Sequence, residues 1–186
     1  ATAAEADPDS RLLWRFNRRR LSAEEIRDAM LAVSGDLDRT AGGEHPFPEI
    51  ESWGFSQHMP YYGVYPTNRR SVYLMQQRLK RHPFLSLFDG ADVNVSTSRR
   101  ELTTVPTQAL YLMNSNFVHK RSGSLAAQIL KREDHQAARL ERLFQSTLGR
   151  VATESELASA AQFLSEYLRA FESGTQEAGS AEAFAW

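Results

Sequence analysis

Two four-residue motifs of one kind, Ser22-Ala23-Glu24-Glu25 and Thr153-Glu154-Ser155-Glu156, constrain the fold of this chain most. Each is a capping box. The hydroxyl accepts from the backbone N–H three residues on, and the closing glutamate reaches back to the first backbone N–H. Each box therefore starts a helix at a defined residue. After Ser22, Leu21 and Ile26 form a hydrophobic staple, and Ile26, Ala29, Met30 and Val33 recur at spacings of three and four. Arg27 and Asp28 are then expected to face away from that stripe or lie at its edge. Gly35, or Gly42 with Gly43, ends the helix. After Thr153, the stripe Leu157, Ala160, Ala161, Leu164, Leu168 and Phe171 is the most amphipathic in the chain. Leu164 and Leu168 are expected to bury against Leu140, Leu143 and Phe144.

Three further helices are expected between Thr103 and the second box. The first is capped by Thr104 with Pro106 in its first turn, and Ala109, Leu110, Met113 and Phe117 form its stripe. Asn114-Ser115-Asn116 breaks it and caps the next, which carries Phe117, Leu125, Ala126, Ile129 and Leu130. Asp134 caps the third, with Leu140, Leu143, Phe144 and Leu148 inward and Gly149 closing it. Residues 41–68 are different. Pro46, Pro48, Pro60 and Pro66 block helix. Phe47, Trp53, Phe55, Tyr61, Tyr62 and Tyr65 are too many aromatics for a disordered linker. The segment reads as a long ordered excursion. Ser71 to Met75 reads as an extended piece leading into a short helix that Pro83 ends. Phe84-Leu85-Ser86-Leu87-Phe88 is an apolar knot followed by the turn Asp89-Gly90-Ala91-Asp92.

The expected fold is therefore mainly α. It is one irregular helical domain over residues 11–172, with an aromatic-rich, mostly non-regular middle and a C-terminal bundle of about four helices. Residues 173–186 read as a tail in which Ala183-Phe184-Ala185-Trp186 begins a further apolar element of a longer protein. Phe184 and Trp186 are expected to lack a native mate.

Composition excludes several functions. The net charge of -1 argues against nucleic acid as a partner, since a binder needs a basic surplus to release counterions. No apolar run approaches the roughly 18 residues that span a bilayer. The chain has no cysteine, so disulfides, thiolate metal sites, a cysteine nucleophile and a covalent c-type haem are excluded within it. His45, His58, His82, His119 and His135 never recur at the spacing that puts two ligands on one helix face. No metal ligand set and no catalytic residue is assigned. No phosphate-binding glycine loop or nucleophile elbow occurs.

Four segments in order carry a family resemblance. They are Arg18-Arg19-Arg20-Leu21 running into Glu25-Ile26-Arg27-Asp28-Ala29-Met30-Leu31 with Ser34-Gly35, and then Arg69-Arg70-Ser71-Val72-Tyr73-Leu74. Next comes Phe84-Leu85 with Phe88-Asp89, Arg100, Thr103-Thr104-Val105-Pro106-Thr107-Gln108-Ala109-Leu110, Leu112, Asn114 and Phe117. The last is Leu148-Gly149-Arg150 with Thr153 and Glu156. Together they resemble the planctomycete-specific domain of unknown function found toward the C-terminus of planctomycetal cytochrome-C-containing proteins. Members of that family tend to carry proline where Asn116 stands. The resemblance implies a long exported protein of the cell envelope, with haem only in other domains and no cofactor in this one. It implies no catalytic residues.

The candidate ligand-binding residues are Arg69, Arg70, Asp89, Arg99 and Arg100, with Trp53, Tyr61 and Tyr62. An arginine fork suits carboxylate, sulfate or phosphate, and the aromatics could form a platform for sugars. The alternative is structural: an Arg–Asp network pinning the irregular middle to the helices, and an aromatic plug under a long loop. In that case at least one arginine bonds Asp89 or Asp92, or donates to buried carbonyls of the middle. Arg18-Arg19-Arg20 reads as a solvated basic face. The functional expectation is a non-catalytic binding or assembly module, whose partners are other domains of the same chain, another protein or a carbohydrate. The alternatives are part of an enzyme or substrate-binding unit acting on polysaccharide, and a purely structural scaffold.

Overall fold

The computed structural model describes residues 2–16, 19–43, 67–78 and 80–177. Among them are seven helices: α1 (Ala3–Ala6), α2 (Ala23–Val33), α3 (Pro83–Leu87), α4 (Pro106–Asn114), α5 (Asn116–Arg132), α6 (Gln136–Leu148) and α7 (Glu154–Glu177). A 3-10 turn spans Ser71–Tyr73, and the described residues contain no strand, only an isolated parallel bridge between Asp38 and Arg69. The fold is all-α. Most of the 41–68 excursion, and Phe184 and Trp186 at the end, lie outside the described residues.

The helix boundaries follow local chemistry. Ser22 Oγ accepts from Glu25 N at 3.3 Å, and Ser22 N donates to Glu25 Oε2 at 2.8 Å. The same reciprocal pair joins Thr153 and Glu156 at 3.3 and 2.9 Å. Ser115 caps α5, accepting from Phe117 N at 3.2 Å, and Gly149 closes α6 at φ 68°. Gly35, at φ 73°, follows the Ser34 cap of α2. Three starts differ from expectation. Pro83 opens α3 instead of ending a helix, because the first helical position needs no donor. Val105, not Thr104, caps α4, and His135, not Asp134, caps α6, neither through its side chain. Residues 75–78 form no helix; the preceding apolar run folds into the 3-10 turn instead of an extended piece.

The core gathers Ala23, Leu74, Phe84, Leu85 and Phe88, with Ile26, Leu87 and Tyr111 packed against it. Phe84 stacks on Phe88 with centroids 4.7 Å apart, and Tyr111 meets both rings edge-on at 5.6 and 6.0 Å. Helix α2 packs on the 3-10 turn, α3 and α5; the C-terminal helices then pack in succession, α4 on α5, α5 on α6 and α6 on α7.

Two buried faces differ from the sequence stripes. In α2 the buried residues are Ala23, Arg27 and Leu31, with Arg27 only 4% exposed, whereas Ala29 is exposed. In α4 the buried residue is Gln108, and Leu110 and Met113 stand in solvent. Both helices pack against irregular backbone, whose carbonyls need donors more than they need methyl groups. At α7, Leu157, Ala160, Ala161 and Leu164 are half-buried, but Leu168 is 55% exposed and Leu143 is exposed too. Helix α7 has 24 residues against 13 in α6. At 1.5 Å per residue it is about 16 Å longer and overhangs its partner.

Candidate functional site

Arg27 and Arg69 form a clasp between α2 and the segment that leaves the aromatic middle. The capping box sets the rotation of α2, and this turns Arg27 inward, one helical turn from both Ala23 and Leu31. Its Nη1 donates to Arg69 O at 3.0 Å and to Ser71 Oγ at 3.1 Å, and its Nη2 donates to Thr67 O. The guanidinium also lies 5.8 Å from the centroid of the Phe117 ring. Asp28, its neighbour, accepts on Oδ1 from Ser71 N at 2.8 Å and from Ser71 Oγ at 2.6 Å. Burial lowers the Arg27 pKa, and the Asp28 charge pulls it back up. Arg69, buried as well, reaches the other way. It donates to Thr40 O at 3.3 Å and to Gly42 O, and its guanidinium sits 4.4 Å from the Tyr73 centroid. One clasp thus ties both ends of the middle segment to α2.

A second hub joins the turn after α3 to the start of α4. Asp89, at φ 62°, accepts from Thr103 N and from Thr103 Oγ1, each at 2.7 Å. Arg20 donates to Thr103 O, to Thr104 Oγ1 at 2.9 Å and to Gln108 Oε1 at 2.9 Å, and lies 3.7 Å from Asp89. Gln108 passes the connection on, donating to Leu87 O at 2.9 Å. The basic run is therefore not a solvated face at Arg20. Arg19 pairs with Glu25, holding the Glu25 carboxyl down to about 2, and Arg18 lies outside the described residues.

The structure separates the candidates that the sequence grouped. Arg69 belongs to the clasp and Asp89 to the hub. Neither Asp89 nor Asp92 pairs with any of the four candidate arginines; Asp92 lies 3.6 Å from Arg81. Arg100 pairs with Glu24 at 2.6 Å. Burial opposes ionisation of Glu24, but the Arg100 hydrogen bond and its own cap contacts leave its pKa below the ordinary value. Arg70 and Arg100 line one open cleft of about 760 Å³ along the outer face of α2, together with Glu24, Asp28, Val72, Leu74, Leu85 and Val93. Arg99 is exposed and outside that cleft. Trp53, Tyr61 and Tyr62 lie outside the described residues. The sequence reading missed Arg20, Arg27, Ser71 and Gln108. The one signal for Arg27 was its register, four residues from Ala23 and four from Leu31.

A smaller cavity of about 220 Å³ lies on the inner side of Arg27, lined by His82, Phe84, Tyr111 and Phe117. His82 Nδ1 is buried there without a hydrogen-bond partner among the described residues, and burial, then the Arg27 charge, lowers its pKa. No group of three or more His, Asp or Glu among the described residues is placed to hold a metal ion. No described helix is long and apolar enough to cross a membrane.

No curated protein and no solved structure matches the chain. The family model of PSD1, protein of unknown function (DUF1553), matches residues 1–164, and the chain belongs to that family.

Proposed function

We propose that this domain is a non-catalytic binding or assembly module of a larger, exported, cytochrome-linked protein of the cell envelope. Its partners are other domains of the same chain. The planctomycetal and cytochrome setting rests on the motif resemblance, with haem carried elsewhere in the parent protein and no cofactor held here.

The observation that carries the reading is the apolar surface left on two helices. Leu110 and Met113 on α4, and Phe163, Tyr167 and Leu168 on α7, all stand in solvent, Met113 at 69%. Phe163 and Tyr167 stack on each other at 6.2 Å, forming a paired aromatic knob. Apolar surface of this kind marks interaction sites. Meanwhile the buried charges of the motifs hold backbone, and that leaves them unsuited to turning over a substrate.

Deleting the domain from the parent protein tests this. The expected result is an unchanged haem spectrum with loss of the native assembly in sedimentation. Unchanged assembly, with loss of a polysaccharide-degrading activity that single substitutions in the α2 cleft also abolish, would overturn it in favour of an enzyme.

A further inference from the structure

Residues 90–102 leave the fold and return to it as a closed loop. Its base is pinned where Asp89 accepts from Thr103 N and Thr103 Oγ1, each at 2.7 Å. Asn94 fastens the outgoing arm, donating from Nδ2 to Arg78 O at 3.1 Å. Beyond it the chain is bare. Every residue from Asn94 to Leu102 is exposed, and no backbone N–H from Ser96 to Leu102 makes a hydrogen bond among the described residues. An endopeptidase reads its substrate as an extended strand, pairing with those same backbone groups on both sides of the bond it cuts. Ser96 to Leu102 can be read in this way without giving up a bond of its own. Exposed loops of small polar residues are where folded proteins are cut, and Ser96-Thr97-Ser98 is such a run.

The two arginines at the crest differ. Arg100 is held across to α2 by its pair with Glu24 at 2.6 Å. Arg99 makes no ion pair or hydrogen bond among the described residues, so its fork is free to enter a pocket floored by a carboxylate. Two other exposed arginines outside helices sit on backbone that is already bonded. Arg70 is followed by Ser71, whose N donates to Asp28 at 2.8 Å. Arg39 lies between Asp38, whose N donates to Asn68 O at 2.9 Å, and Thr40, whose N donates to Asp38 Oδ1 at 2.9 Å. Breaking the loop also leaves its two sides fastened. Arg20 donates across to Thr104 and Gln108, and Gln108 donates back to Leu87 O. Arg121 pairs with Asp36 at 2.8 Å, and Tyr111 packs on Phe84 and Phe88.

We infer that the bond between Arg99 and Arg100 is a processing site for an endopeptidase with an acidic primary pocket, and that the domain persists after the cut as two chains held together without a covalent link. The reaction is hydrolysis. The amide C–N bond breaks, water adds across it, Arg99 ends in a carboxylate and Arg100 begins with an ammonium.

The test uses trypsin at low ratio on the whole chain, read by intact-mass spectrometry and gel filtration. The first products should be Ala1–Arg99 and Arg100–Trp186, eluting together where the uncut chain elutes and separating only in denaturant. Arg99→Gln should slow that cut roughly a hundredfold or more, because the acid of the pocket is left unpaired. Arg99→Lys should restore it and Arg70→Gln should leave it unchanged, all three with the circular dichroism spectrum of the parent. Glu24→Gln frees Arg100 and should add a cut after it. A first cut elsewhere, or a cut indifferent to Arg99→Gln, would overturn the site. Pieces that part on gel filtration would overturn the two-chain domain. In the full-length protein isolated from its own cells, amino-terminal labelling should find an end at Arg100. Only uncut chain there would overturn processing, however readily trypsin cuts.

Discussion

Replacing Arg27 by alanine removes the donor that three acceptors share. Arg69 O, Ser71 Oγ and Thr67 O each lose their guanidinium bond, and Asp28 loses the cation 3.6 Å away. The Arg27 side chain is 5% exposed, so water cannot readily take its place. Leaving a buried polar group unsatisfied costs about 1–3 kcal/mol, and breaking a buried ion pair about 3–5 kcal/mol. Asp28 keeps its two Ser71 bonds and is partly exposed, so these terms do not sum in full. The expected loss is about 3–5 kcal/mol, a large part of the roughly 5–15 kcal/mol that holds a domain together. Urea unfolding followed by circular dichroism measures it. Arg27→Lys should recover part of the loss, because an ammonium supplies the charge but not the fork. A midpoint for Arg27→Ala within about 0.5 kcal/mol of the parent, the range of an ordinary surface change, would refute the clasp.

Other substitutions probe the rest of the fold. Leu31→Ala, at a side chain with no exposure, should cost about 2–5 kcal/mol, whereas Leu168→Ala should stay within about 0.5 kcal/mol; thermal melts compare the two. Gly90→Ala should cost about 1–3 kcal/mol, because its Cβ would stand 2.7 Å from the Leu85 carbonyl oxygen, and backbone there cannot easily yield; the same melts read it. The folded state lowers the His82 pKa and so disfavours its protonated ring. Its contribution is complete above the ordinary histidine value of about 6.5 and is lost as pH falls through the lower folded value. Melting temperature against pH should therefore fall less steeply on acidification in His82→Gln than in the parent.

The helix ends were legible in the sequence because capping is local chemistry. Ser22, Ser115, Gly149 and Thr153 each act where their side chain or missing side chain demands. The buried faces of α2 and α4 were not legible, and for one shared reason. A hydrophobic period finds the core only where the neighbour across the interface is apolar. Here the neighbours are bare carbonyls, at Thr67, Arg69 and Leu87, so the inward positions are filled by Arg27 and Gln108. That exchange pushes Leu110 and Met113 outward, where the sequence stripe had placed the core. The candidate site was legible in kind and not in grouping. Arg69 donates to the carbonyls of Thr40 and Gly42, exposed residues at the edge of the middle segment, where the structural alternative asked for buried carbonyls within it. Its neighbour Arg70 turns the other way because residues 70 and 71 bracket the entry to a 3-10 turn, and no period shared with a helix or strand relates them.

The split between Arg69 and Arg70 is the most direct test of the account: one fastens the fold and the other stands exposed at the cleft. The measurement is a side-by-side thermal melt of Arg69→Gln and Arg70→Gln. Arg69→Gln should melt well below the parent, since it abandons the Thr40 and Gly42 carbonyls and the face of Tyr73. Arg70→Gln should melt with the parent. Equal melting of all three proteins, or a larger loss in Arg70→Gln, would contradict the account.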